Sequence, residues 1–231
     1  MQIKFLGTGG AFDYELGNSA AFLHFKGRGI LIDCGHTVFG KLRELQLVDQ
    51  IDDILITHLH DDHVGSLTTF ILFHAYYLPT SKKLNILVPN KFFRDHLYQF
   101  IKFAIPNPEE CMTFSYLSEF DGISAVDTFG LHVPEMPSFG YIFESKQSIL
   151  AYSGDLGNSQ IMFDSIPKDT NKAVRIFHDM AFEESDGLHV HYHDLEQQIG
   201  DYEVFAYHLN HLQEPEDNSI PLVANFPEFL F

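Results

Sequence analysis

The chain has no tryptophan, only two cysteines and few bases: 14 Lys and Arg stand against 32 Asp and Glu, a formal charge of −18 over 231 residues. Cys34 and Cys111 make no disulfide framework and show no C-x-x-C pairing of the kind that holds a metal, so both read as small core residues. An acidic surface repels nucleic acid, and no Lys/Arg cluster offers a local basic face. That weighs against a large RNA ligand and leaves a small anionic one open. The longest apolar stretches are strand-length or amphipathic, so no membrane span is expected, and residues 1–6 enter a strand without a cleavable pattern. These absences predict a cytoplasmic protein. No Pro/Gly/Ser-rich linker, internal repeat or low-complexity segment divides the sequence. With 45% hydrophobic content, residues 1–231 are expected to form a single domain.

What the chain does have is histidine, 14 in all, three of them in the run Thr57-His58-Leu59-His60-Asp61-Asp62-His63-Val64-Gly65 directly after Ile54-Leu55-Ile56. Three imidazoles and two carboxylates within residues 58–63 cannot pack as a core, because each buried polar ring would need its own partner. They can share cations. His58 and His60 are two apart and in extended chain point to one side, and neutral imidazole is a common ligand for zinc-like ions. Asp62 and His63 follow at the expected start of a helix and can face a second ion beside the first. The spacing suggests two adjacent metals; the plainer alternative is a solvated His/Asp loop.

Along the chain, a strand over 3–6 ends in Gly7-Thr8-Gly9-Gly10, and strands over 19–25 and 29–33 make a hairpin. A helix over 39–47 precedes the strand 51–57 that delivers the histidine run. Residues 67–78 are apolar on nearly every side, which predicts a helix buried by the protein itself or by a partner subunit, its aromatic end forming a dimer contact or a pocket wall. A strand over 84–88 follows, then a helix over 91–103 that Asn90 could cap. Further strands are expected over 112–114, 123–126, 130–133, 140–144 and 148–152. Strands interleaved with helices mean an α/β sandwich.

Downstream positions can complete a site. Asp155, after Gly154 at a strand end, could bridge two cations or be a turn residue. His178 and Asp179 follow a third strand; His178 could act as a general acid with Asp179 orienting its ring, or be a surface histidine beside an Asp. The last strand, over 204–208, ends in His208, a position suited to a ligand of the second metal; His211 reads as a bystander. His189, His191 and His193 alternate before a short helix over 195–199. They could form a separate metal site, but one reaching the substrate is the favoured reading, and His191 is taken as that contact. His24, His36, His74 and His96 show no partner in the sequence and default to structural or surface roles.

These residues together resemble the metallo-β-lactamase fold. The likeness rests on His58-Leu59-His60-Asp61-Asp62-His63 with Gly65, the opening Phe5-Leu6-Gly7-Thr8-Gly9-Gly10, the Ile32-Asp33-Cys34-Gly35 turn, Ser153-Gly154-Asp155 and the strand to His208. It spans almost the whole chain. Pro137-Ser138-Phe139-Gly140-Tyr141 is similar to the Phe-Gly-Tyr segment of the ribonuclease Z branch, and His178-Asp179-Met180-Ala181 stands where that branch carries His-Glu-Ala-Thr. Two departures matter. The middle histidine of the branch lies seven residues before the Tyr, where this chain has Pro134; His132, nine before, is taken as the ligand instead. Transfer-RNA-processing members also carry a long RNA-gripping arm, whereas only 22 residues lie between His132 and Asp155.

A compact, acidic, armless chain of this kind resembles the small-molecule phosphodiesterases of the branch, in particular the anti-Pycsar proteins, which hydrolyse cyclic mononucleotides such as cyclic CMP and cyclic UMP. Phages use them, and bacterial relatives exist, to remove the second messenger of a host defence. The resemblance implies a four-layer αβ/βα sandwich, a homodimer and two divalent ions, zinc or, as the alternative, manganese. His58, His60 and His132 would hold one ion, Asp62, His63 and His208 the other, and Asp155 would bridge them. A water between two such ions is acidic enough to attack phosphorus near neutral pH. Asp62, His178 and Asp179 are then the expected catalytic residues, His178 serving the departing side. The rivals are a transfer-RNA 3′ endonuclease whose grip comes from a partner, a lactonase-type hydrolase on the same core, and a non-catalytic protein that sequesters a nucleotide.

Overall fold

The computed structural model describes residues 1–231 except 80, 81, 169, 184–186 and 211–213. Two mixed sheets form its centre. The first runs in chain order: β1 (Gln2–Gly7), β2 (Ala20–Phe25), β3 (Arg28–Ile32), β4 (Asp53–Leu55), β5 (Leu84–Val88) and β6 (Met112–Tyr116). The expected hairpin is β2–β3; from β3 onward the pairing is parallel, as connections through helices require. The second sheet comprises β7 (Ile123–Asp127), β8 (Phe139–Glu144), β9 (Ser148–Tyr152), β10 (Ala173–Asp179) and β11 (Glu203–Tyr207), antiparallel through β9 and parallel beyond.

The two sheets are joined by aromatic rings. Phe5 of β1 lies 5.3 Å from Phe177 of β10 and 5.6 Å from Tyr207 of β11, and Tyr152 stacks on Tyr207 at 4.7 Å. Their hydroxyls are used as well: the Tyr141 hydroxyl donates to the Ile56 carbonyl at 2.6 Å, tying the second sheet to the chain just before the histidine run.

Helices cover the outer faces, giving the four-layer αβ/βα sandwich. Against the first sheet lie α1 (Val38–Glu44), α3 (Leu67–Tyr77) and α4 (Lys91–Ala104), with the single turn α2 (Asp61–Val64) between α1 and α3 in sequence. The second sheet packs its other face, including Ile142, Ala151, Ile176 and Val204, on α5 (Gln160–Ser165) and α6 (Tyr192–Glu196). In α4 the buried Phe93, Leu97 and Ile101 recur at four-residue spacing, and the Asn90 side chain accepts from the Phe93 N–H at 2.9 Å as the expected cap. No described helix is long and apolar enough to cross a membrane.

Two elements differ from expectation, residues 130–133 and the helix expected over 195–199, which is α6, Tyr192–Glu196. Helix α3 buries Leu67, Phe70, Ile71 and His74 but exposes Tyr76 and Tyr77. Residues 130–133 form a turn and not a strand: Gly130 adopts φ +79°, Leu131 N–H donates to Thr128 O, and Thr128 and Ser138 close the loop through their hydroxyls. That turn, and not a strand, carries His132.

Candidate metal centre

The chain leaves β4 and stays extended to His60, whose backbone (φ −67°, ψ 151°) begins α2. His58 Nε2 and His132 Nε2 then lie 3.0 and 3.1 Å from His60 Nδ1. The far side of two rings fixes their tautomers. His132 Nδ1 donates to the Leu188 carbonyl at 2.7 Å. Thr57 Oγ1 gives its hydrogen to Asp33 Oδ2 and so accepts from His58 Nδ1 at 3.0 Å. Both Nε2 atoms therefore present lone pairs, and one hydrogen on His60 Nδ1 cannot satisfy both. Nitrogens around a tetrahedral zinc are about 3.3 Å apart, close to the spacing found.

A second set adjoins the first. His63 Nδ1 donates to Asp33 Oδ2 at 2.9 Å, leaving Nε2 as a lone pair 3.3 Å from Asp62 Oδ2 and 3.4 Å from Asp155 Oδ2, with no hydrogen bond of its own. His208 Nε2 faces the same two oxygens at 3.1 and 3.4 Å. Asp155 Oδ2 is also 3.7 Å from His58 Nε2 and 3.9 Å from His132 Nε2, and its Oδ1 has no partner. The donor atoms thus fall into two sets, His58, His60, His132 with Asp155, and Asp62, His63, His208 with Asp155, each within 4.8 Å of one another.

Charge follows the geometry. Burial works against the Asp155 carboxylate, yet His208 and His63 hold its pKa well below the ordinary range. Asp62 is likewise depressed against burial, by its hydrogen bond with His208 and by the neighbouring His63. Burial opposes a charge on His63, but the Asp155 and Asp33 carboxylates outweigh it and raise its pKa well above the ordinary value, whereas burial and the neighbouring His63 push His58 well below. Converging lone pairs, an orphaned carboxylate oxygen and concentrated negative charge make a donor set that fits divalent cations.

Local backbone makes this crowding possible. A Cβ on Gly35 would stand 1.8 Å from the Asp62 carbonyl, so only glycine lets α2 approach the end of β3. Asp33 and His208 adopt left-handed backbone, φ 64° and 66°, a strained state for non-glycine residues, held by Asp33 N–H to Leu55 O and His208 N–H to Thr8 O, both 2.8 Å.

Three expected site residues are placed differently. His178 is fully enclosed, its ring parallel to Phe163, its Nδ1 bonded to the Asp179 carbonyl at 2.7 Å and 3.2 Å from Asp179 Oδ1. Asp179 is oriented by Leu156 N–H at 3.1 Å and bonds His189 Nδ1 at 2.9 Å through the same oxygen. The ring beside the centre is therefore His189, 5.0 Å from His208 and 5.2 Å from His132. Burial opposes its charged form, but the Asp179 hydrogen bond and the Asp155 carboxylate push its pKa up to about 9. His191, the expected substrate contact, begins α6 with its ring against Tyr192 and His193. His211 lies outside the described residues. Sequence reasoning assigned no role to Asp33, Thr57 or His189; a carboxylate ending an apolar strand and the first of three alternating histidines were the signals available. A cavity of about 270 Å³ opens over His189 and His208, walled by Gly10–Asp13 and residues 180–183.

Paired mixed sheets with helices outside and a His/Asp centre define the metallo-β-lactamase fold. The metallo-β-lactamase fold protein YhfI from Bacillus subtilis is similar over 94% of this chain and 89% of its own, with a TM-score of 0.71 at 17% identity. In sequence, the family model described as Anti-Pycsar protein Apyc1 matches residues 1–220, and the chain belongs to that family. An Anti-Pycsar protein Apyc1 from Bacillus phage 010DV004 is 34% identical over 130 residues, 55% of this chain and 50% of the relative, so the match spans half of that protein. Another, from Paenibacillus harenae, is 28% identical over 207 residues, 84% of this chain and 83% of the relative.

Proposed function

We propose that this chain is a metal-dependent phosphodiesterase that opens cyclic mononucleotides, such as cyclic CMP and cyclic UMP, to nucleoside monophosphates and so counters Pycsar defence. It would act in the cytoplasm, as a homodimer, with two divalent ions per chain, zinc or manganese. The observation that carries the reading is Asp155, one carboxylate facing two complete donor sets with the Asp179–His189 pair beside them. Divalent ions bound there would supply Lewis acidity to an attacking water and neutralise charge on the phosphoryl oxygens.

The chain's own residues supply the rest. Asp62 and Asp155 orient the attacking side through their fixed carboxylates. As the bond from phosphorus to the ribose oxygen breaks, His189, kept protonated by Asp179, donates a proton to that oxygen. Asp179 then steadies the ring, and His178 buttresses Asp179 from the core. The cavity of about 270 Å³ is of the size of a small ligand, and the charge of −18 disfavours a large RNA.

Product analysis tests the reading. Metal-loaded protein in catalytic amount is incubated with 3′,5′-cyclic mononucleotides, cyclic dinucleotides, a lactone and precursor transfer RNA. Many turnovers of cyclic mononucleotide to monophosphate are expected, abolished in Asp62→Asn and His60→Ala. Survival of the cyclic mononucleotides while another substrate is consumed would overturn the substrate assignment; undiminished turnover in Asp62→Asn would overturn the site.

A further inference from the structure

A cavity of about 570 Å³ lies away from the His/Asp centre, between the end of α1, the connection to β4 and the end of α3. Its walls include Arg43, Gln46, Asp49, Phe73, His74 and Lys82. That volume is in the range of small-molecule sites.

Two unmatched groups meet there. In a chain with more than two acids per base, arginines find carboxylates easily: Arg28 pairs with Asp53, Arg94 with Asp95 at 2.9 Å and Arg175 with Glu203 at 2.7 Å. Arg43 has no carboxylate partner among the described residues. It lies instead over the Phe73 ring, 4.3 Å from its centre, and Phe73 is itself stacked on Tyr77 at 5.3 Å. A guanidinium held over an aromatic ring, with no carboxylate bound to it, has N–H groups to offer a planar or tetrahedral anion. The second group is His74, only 5% exposed, whose Nδ1 has no hydrogen-bond partner. Buried polar nitrogens are normally paired, and the residue that carries this one forms part of the cavity wall.

We propose that this cavity is a second binding site, for a small organic anion carrying one phosphate or carboxylate group, with Arg43 clamping the anion and the His74 ring forming part of the wall. Lys82 adds positive charge at the rim while paired to Asp52. Asp49 and Asp52 on the same walls disfavour ligands that carry several phosphates. Nothing in this site depends on the reaction proposed for the metal centre.

The test uses the whole chain freed of metal by a chelator and titrated with inorganic phosphate, acetate and adenosine 5′-monophosphate, reading heat and the histidine ring resonances by NMR. Saturable binding of at least one probe, at one per chain, is expected, with the His74 resonances moving. The same binding should persist in His60→Ala, which breaks the metal centre. Arg43→Gln, an exposed substitution that leaves the core untouched, should weaken it by about tenfold or more, and Arg43→Lys by less. Shifts confined to His58, His63 and His208, equal binding by Arg43→Gln, or no saturation by any probe would overturn the proposal.

Discussion

A ligand nitrogen keeps its lone pair because the other nitrogen of the ring has given its hydrogen elsewhere, and Asp33 sets this directly for His63 and through Thr57 for His58. Its two oxygens accept from Thr57 N–H, from the Thr57 hydroxyl and from His63 Nδ1. An Asn in its place must turn its NH₂ toward one of those donors. Asp33→Asn is therefore expected to lower metal affinity by about 10–100-fold, measured by competition against a chelating dye. Asp61→Asn is the control, since that carboxylate is exposed and bonds only His36; equal affinities in the two variants would contradict the role given to Asp33. The same scale shows what sequence could and could not tell. His58, His60, Asp62 and His63 were legible because they sit in one local run. His178 and Asp179 were read as partners because they are adjacent, and His178 Nδ1 does lie 3.2 Å from Asp179 Oδ1; what adjacency could not show is that the other oxygen of Asp179 bonds His189 across the fold.

At the scale of elements, the centre depends on a one-turn helix pressed against a strand end. Gly35→Ala would place a methyl 1.8 Å from the Asp62 carbonyl, a backbone atom that cannot rotate away. The expected result is displacement of α2 and loss of metal binding by the dye assay, whatever remains of overall secondary structure by circular dichroism. Asn90→Ala, which removes a helix cap far from the centre, should cost about 1 kcal/mol in urea unfolding and leave metal affinity unchanged. Elements with a strong local signal, such as β5, β9 and α4, were legible to within a residue or so. Residues 130–133 were not. Their alternation of apolar and polar side chains reads as a strand, but a strand needs an edge to pair with, and the turn fixed by Gly130 and the Thr128–Ser138 hydrogen bonds offers none.

For the molecule as a whole, the centre ties stability to pH, and the sign differs between its two kinds of residue. Asp62 and Asp155 have folded pKa values below the ordinary 3.8, so their contribution is present above that value and lost as pH falls further. His63 and His189 have folded values above the ordinary 6.5, so theirs is complete below 6.5 and lost as pH rises, through about 9 for His189. His58, His60 and His74 have folded values below 6.5 and oppose this until the unfolded histidines are neutral; above about pH 7.5 the metal-free fold binds more protons than the unfolded chain, and its stability must fall with rising pH. The surface carboxylates are already ionised throughout this window, so the repulsion behind the charge of −18 contributes little slope and the histidines dominate it. Chelated protein should therefore melt at progressively lower temperature from about pH 7.5 to 9. His189→Gln should flatten that limb by about 2 kcal/mol, allowing for the ring's partial exposure. Divalent ions change the balance because they bind the His63 nitrogen only when it is unprotonated and neutralise the carboxylates that held its proton. In metal-loaded protein the His63 share of the alkaline decline should disappear while the share held by the Asp179–His189 pair remains; scanning calorimetry at both pH values, with and without chelator, reads this directly, and a decline that persists unchanged with metal would mean that the ions do not occupy the Asp155 sets.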